Sequence, residues 1–188
     1  MTRAAVVMGG SAGSLGVFDA VLGALPEDYA LPLLLVLHLP ADDAGSFALH
    51  LAQVSRLPVV EPCDKQRIEG RHVYTAPANY HMLVERGGHV ALSVDERGNW
   101  SRPSIDVLFE SAAGAWGREL VAVILSGANA DGAMGLLAVK AAGGHTLAQD
   151  PAGAASPLMP LAAIKVGAVD EILSPEGIAL RLIELANG

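Results

Sequence analysis

The chain is poor in cysteine, aromatic residues and positive charge, and each shortage removes a class of function. One cysteine, Cys63, stands in 188 residues. A single thiol excludes an internal disulfide and suits a reducing compartment. With no cluster of cysteine or histidine around it, it also argues against a zinc site. Aromatic residues make up 4% of the sequence while hydrophobic residues make up 52%, so the core must be built from Ala, Val, Leu and Ile. Lys and Arg number 12 against 20 Asp and Glu, a formal charge of -8. Nucleic-acid phosphates call for a basic face, and anionic membrane surfaces attract one, so both partners are disfavoured. No apolar run reaches the roughly 18 residues that a membrane-spanning helix needs. The segment after Met1-Thr2-Arg3 lacks the apolar region and small-residue cleavage pattern of a secretory signal. A soluble cytoplasmic protein, with no membrane insertion, is expected. Nucleotide-cofactor signatures are missing too: no Lys follows the glycine turn at Gly9–Gly13, and Ser11 takes the place of the second glycine of a dinucleotide loop. No cofactor and no metal are expected.

What is present is a set of apolar runs bounded by turn residues. Val6-Val7-Met8, Leu33 to Leu37 and Val121 to Leu125 read as strands buried on both faces. Shorter runs at Pro58–Val60, His145–Gln149 and Ala168–Leu173 add to them. Helical patterns lie between: Leu15–Leu25, Phe47–Val54, Ile105–Trp116 behind Ser104 as N-cap, Gly132–Ala142, and Pro175–Ala186. The stretch from Pro151 to Pro160 reads as loop. In the middle, His72–Ala76, Met82–Glu85 and Val90–Val94 are short segments, and Gly87-Gly88 between the last two signals a hairpin. Alternating strands and helices predict a single α/β domain over residues 1–188: a doubly wound, mostly parallel sheet, helices on both faces, and a small antiparallel edge or hairpin.

In such a sheet ligands bind beyond the carboxyl ends of the strands. Three reactive side chains fall there. Ser11 sits in Gly9-Gly10-Ser11-Ala12-Gly13, a G-x-S-x-G pattern between a strand and a helix. A helix-capping serine or a phosphate cradle explains the same residues. His38 ends an all-apolar strand, where a core histidine is the alternative. Asp131 precedes Gly132 at a helix start, where Asp is also a preferred N-cap. Together they form the inventory of an acyl-transfer triad. Ser126 and Asn129 share the Asp131 loop and offer polar contacts. His81 is a rival base, more simply read as a histidine supporting a turn. His50, His72, His89 and His145 read as ordinary surface or strand positions, Asp42-Asp43 as a solvated loop that caps the next helix, and Cys63 as an inert thiol. The Ser, His, Asp chain order differs from the Ser, Asp/Glu, His order of α/β-hydrolases.

Several motifs, in order, resemble one family over nearly the whole length. Met8-Gly9-Gly10-Ser11-Ala12-Gly13, Leu37-His38-Leu39-Pro40, Tyr74–Pro77 through His81-Met82, Arg102–Phe109, Leu125–Gly132 and Ala142–Asp150 with Met159-Pro160 are similar to segments of the catalytic domain of the bacterial chemotaxis protein-glutamate methylesterase (CheB) family. The resemblance implies a nucleophile at Ser11, a general base at His38 and an orienting carboxylate at Asp131. It also implies oxyanion donors around Ala12 and Ala128 in a substrate loop with Asn129. The implied reaction is hydrolysis of glutamate methyl esters on the cytoplasmic domain of a chemoreceptor, with methanol released, and glutamine deamidation by the same chemistry. Where the family usually has Thr after the nucleophile this chain has Ala12, and where it has Met in the Asp loop this chain has Ala128. Those changes keep two alternatives in view: a re-targeted hydrolase acting on another ester or amide, and a catalytically weak member serving as an interaction module in a signalling array. Family members commonly carry a phosphorylatable receiver domain and linker. Neither is found within residues 1–188, so a single catalytic domain indifferent to a phospho-donor is expected. Arg102 is a candidate for a basic docking patch.

Overall fold

The computed structural model describes residues 3–188. The longest apolar runs become the centre of one sheet. β1 (Ala5–Gly10), β2 (Leu33–Leu37) and β7 (Leu120–Ile124) are fully buried along their length. Around them pair β3 (Val59–Val60), β4 (Val73–Thr75), β8 (His145–Gln149) and β9 (Glu171–Leu173) in the order β3-β4-β2-β1-β7-β8-β9. Every pairing in this sheet is parallel. The antiparallel element is the hairpin: β5 (His81–Glu85) and β6 (His89–Ser93) pair only with each other.

Side chains of the central strands alternate between two cores. Val6, Met8, Leu33, Leu35, Val121 and Val123 face one side. There they meet α1 (Leu15–Ala24), α2 (Ser46–Leu51) and α6 (Pro175–Asn187). Ala5, Val7, Leu34, Val36, Ala122 and Ile124 face the other, against α3 (Ile105–Trp116), α4 (Ala133–Ala141), α5 (Leu158–Lys165) and the hairpin. Burial on both faces explains why these strands read as continuous apolar runs instead of alternating ones.

Two local readings change. Residues 151–160 are not all loop: a short 3-10 turn, Pro151–Gly153, precedes α5, whose first turn contains Pro160. Proline is tolerated there because a first-turn N–H has no helical acceptor to lose. The helix after Gly45 stops at Leu51, short of Val54. Its start is held by Asp43, whose carboxylate accepts from the N–H groups of Gly45 and Ser46 at 3.1 and 3.0 Å and also bonds the Ser46 hydroxyl.

The connections define the crevice. α1 leaves β1 over one face toward β2, while α4 leaves β7 over the other face toward β8. β1 and β7 are neighbours. Chain direction therefore diverges between them, which opens a cleft at their carboxyl ends.

Candidate active site

Ser11 follows β1 directly and is clamped by its backbone. Its N–H donates to the Ser126 carbonyl at 2.9 Å, and its carbonyl accepts from the Ser14 N–H and hydroxyl at 3.0 and 2.7 Å. Gly13 turns the chain at a φ of 78°, a left-handed conformation that glycine adopts freely. The buried Ser126 hydroxyl donates to the Ala12 carbonyl at 2.8 Å, tying the β1 turn to the β7 turn. Ser126 is in turn fixed by Gln149, whose side-chain oxygen accepts its N–H at 2.9 Å. Beyond it, Gly127 is held at both ends, by the Ser156 carbonyl and the Met159 N–H, each at 2.9 Å. The exposed turns carrying Ala12 and Ala128 are thus rigidly seated, and among the described residues their two N–H groups have no protein acceptor. Asn129 spends its side-chain oxygen on the Asp131 N–H at 3.1 Å.

His38 follows β2 directly. Register pairs Gly10 with Leu37, and the His38 N–H donates to the Gly10 carbonyl at 3.3 Å. Ser11 and His38 are therefore neighbours across adjacent strands, which run about 4.8 Å apart. The His38 side chain is 11% exposed, and its Nε2 lies 2.8 Å from Asp131 Oδ2. With an ionised carboxylate as partner, Nε2 carries the proton and Nδ1 holds the lone pair. That lone pair accepts from the Ser101 hydroxyl at 3.2 Å. The Ser11 hydroxyl makes no hydrogen bond to another described residue.

Asp131 is wholly buried and surrounded by donors. Oδ2 accepts from His38 and from the Ile105 N–H at 2.7 Å. Oδ1 accepts from the Ser104 hydroxyl at 2.9 Å, Asn99 Nδ2 at 3.1 Å and the Asp106 N–H at 3.2 Å. The carboxylate caps α3 from outside, satisfying first-turn N–H groups and meeting the positive end of the helix dipole. Burial by itself pushes the Asp131 carboxyl up. The bonds from His38, Ile105 and Asn99, with the neighbouring His38 charge, outweigh it and hold the group at about 2. Asp106 moves the opposite way. Burial and the nearby Asp131 charge raise its carboxyl to about 6, despite the Gly135 N–H donating to it at 2.6 Å.

Two capping readings are corrected here. Asp131 does not cap the helix that follows it: Gly132, at a φ of 89°, holds that position. Ser104 stands at the N-cap of α3, but its hydroxyl goes to Asp131 instead of to its own helix. His81 is buried and serves the backbone instead of a carboxylate: Nδ1 accepts the Ser104 N–H at 3.1 Å, and Nε2 donates to the Glu96 carbonyl at 3.0 Å. Its role is to hold the start of α3. Arg102 spends its guanidinium on Asn79 and on the carbonyls of Val94 and Asp95, pinning the hairpin's exit. His50 and His145 pair with Asp19 and Glu171 at the surface, and Cys63 is exposed. Among the described residues no group of His, Cys, Asp or Glu converges as metal ligands, and no helix is long and apolar enough to cross a membrane.

Sequence reasoning missed Asn99 and Ser101 as site residues. Both lie in a polar loop with no periodicity, and only the Gly-Asn turn signal at Gly98-Asn99 marks it.

The profile of the family described as CheB methylesterase matches residues 6–182. The chain belongs to the CheB methylesterase family. A putative protein-glutamate methylesterase/protein-glutamine glutaminase of Leptospira interrogans is 41% identical over 185 residues, spanning 98% of this chain and 96% of that protein. Protein-glutamate methylesterase/protein-glutamine glutaminase 2 of Pseudomonas aeruginosa is 39% identical, and the match covers 98% of this chain but 54% of the longer relative. The crystal structure of the Thermotoga maritima CheB methylesterase catalytic domain superposes with a TM-score of 0.93 at 31% identity, covering 98% of this chain and 100% of that one. These CheB relatives are hydrolases by name, and the Thermotoga maritima domain shares the fold of this chain.

Proposed function

We propose that this protein hydrolyses methyl esters of glutamate side chains on the cytoplasmic domain of a chemoreceptor, and deamidates glutamine there, with Ser11 as nucleophile, His38 as general base and Asp131 as the group that orients it. The observation that carries this reading is the His38–Asp131 bond of 2.8 Å, set beside Ser11 at the cleft between β1 and β7, in a chain whose relatives bear these activities as names.

The chemistry follows from the proton positions. Asp131 holds the proton on Nε2, so Nδ1 is the basic nitrogen. Ser11 Oγ attacks the ester carbonyl and passes its proton to Nδ1. The imidazolium is stabilised by the Asp131 carboxylate, which stays ionised. The negative oxygen of the tetrahedral intermediate takes the free N–H groups of Ala12 and Ala128. These are backbone donors, so alanine at both positions preserves them. Collapse expels methanol, protonated by His38. Water activated by the same nitrogen then releases the glutamate. With glutamine the leaving group is ammonia. The protein works in the cytoplasm, where the methylated domain of a chemoreceptor lies.

The test is release of labelled methanol from chemoreceptor domains carrying methylated glutamates. The wild-type protein releases it, and His38→Ala does not. Hydrolysis of small esters with no methanol from the receptor would overturn the substrate assignment. Absence of any ester hydrolysis would overturn the activity itself.

A further inference from the structure

The turn Gly98–Ser101 touches both His38 and Asp131, yet the reaction as derived does not use it. Gly98 and Ser101 form an isolated antiparallel bridge, closed by the Ser101 N–H on the Gly98 carbonyl at 2.8 Å. Between them Asn99 and Trp100 both adopt positive φ, 47° and 66°, a conformation that residues with a Cβ take only at an energetic cost. Polar contacts to the site hold the turn. Asn99 Nδ2 bridges Asp106 Oδ2 at 2.9 Å and Asp131 Oδ1 at 3.1 Å. The Ser101 hydroxyl sits on His38 Nδ1. Trp100 is 92% exposed. In a chain with 2 Trp, one projecting into water from the rim of the catalytic cleft has no role in packing, and exposed Trp is the residue type most often found anchoring protein contacts.

Nδ1 has one lone pair, so it accepts one hydroxyl at a time. Ser101 and Ser11 exclude each other there. We infer that the Gly98–Ser101 turn is a latch on the general base: Ser101 occupies His38 Nδ1 in the resting protein, and a protein substrate packing on Trp100 draws the turn away and frees that nitrogen for Ser11. The latch rests on the nucleophile assignment above. It makes Ser101 a positioning residue and Trp100 a specificity residue. A small ester fits the cleft without reaching Trp100, whereas a receptor segment presenting its side chain to Ser11 must pass over the rim. The latch thus restrains the protein toward small esters and releases it on the intended protein.

Two readouts test it. The first is the rate at which a small alkyl fluorophosphonate modifies Ser11, with the site located by mass spectrometry. Ser101→Ala is expected to label about three- to tenfold faster than wild type, the factor set by loss of one hydrogen bond. Ser101→Thr, which restores the hydroxyl, labels at the wild-type rate. The second is kcat/KM on methylated receptor domains. Trp100→Ala lowers it about tenfold, in the range of a single interface anchor, while its fluorophosphonate rate stays that of wild type. Labelling of Ser101→Ala at or below the wild-type rate overturns the latch, and so does undiminished receptor demethylation by Trp100→Ala. An adduct on Ser101 instead of Ser11 overturns it by making Ser101 the nucleophile. A wild-type protein that never labels at Ser11 removes the nucleophile assignment, a failure distinct from unchanged rates in variants that do label.

Discussion

At the scale of single residues, Asp131 is the most constrained group in the molecule. Five donors converge on one buried carboxylate. Only one of them is the imidazole, so the carboxylate organises the start of α3 as well as the base. Asp131→Asn replaces one acceptor with a donor, which faces His38 or the α3 N-terminus wrongly. It is expected to lower kcat for ester hydrolysis by about 10³–10⁴, the scale for a histidine left in the wrong tautomer. Carboxyl NMR provides a direct check on the charge distribution: Asp131 is expected to titrate at about 2 and Asp106 at about 6. Two ordinary midpoints near 4 would contradict the described hydrogen-bond set. The sequence exposed Ser11, His38 and Asp131 because each follows an apolar strand run. It did not expose Asn99 or Ser101, whose positions depend on two left-handed residues, the first of them held by Asp106 and Asp131. Ser104 was legible as a helix start but not as a donor to Asp131, since a hydroxyl at an N-cap does not announce where it points.

At the scale of elements, the site depends on how α3 and the β7 turn meet. Gly132 permits that meeting. Its φ is 89°, and a Cβ there would lie 2.6 Å from both Ile105 Cγ2 and Ile124 Cδ1. Gly132→Ala is expected to cost about 2 kcal/mol or more, from strain at positive φ plus overpacking. The measurement is the urea midpoint; a variant within about 0.5 kcal/mol of wild type, the scale of a neutral surface change, would contradict the packing. Long central strands and the Ile105–Trp116 helix were readable from their patterns. α5 was not, because Pro157 and Pro160 look like breakers when their places at the N-cap and in the first turn are unknown.

At the scale of the whole molecule, the buried Asp131 and the half-buried Asp106 give stability opposite dependences on pH. Asp131 is depressed in the folded state, so its contribution is complete above the unfolded value near 4 and is lost as pH falls through about 2. Asp106 is raised, so its contribution is present below about 4 and is lost as pH rises through about 6. The stability gap between wild type and Asp131→Asn is therefore expected to be largest above pH 4 and to shrink on acidification, as read from denaturant midpoints at stepped pH. A gap that widens in acid would reverse the assigned sign. The doubly wound class was legible from strand–helix alternation, whereas the cleft between β1 and β7 was not, because alternation does not tell which strands are neighbours. The hairpin's separation from the main sheet was not, because turn glycines signal pairing without saying where the pair docks.

The central claim is that the hydroxyl which attacks is that of Ser11, although the hydroxyl seated on His38 belongs to Ser101. Methanol release from one methylated receptor preparation, compared between Ser11→Ala and Ser101→Ala, decides it. Ser11→Ala is expected to lose at least about 10³-fold in rate, the scale of a removed nucleophile, while Ser101→Ala retains wild-type activity or exceeds it. Retained release by Ser11→Ala together with its loss in Ser101→Ala would contradict the account.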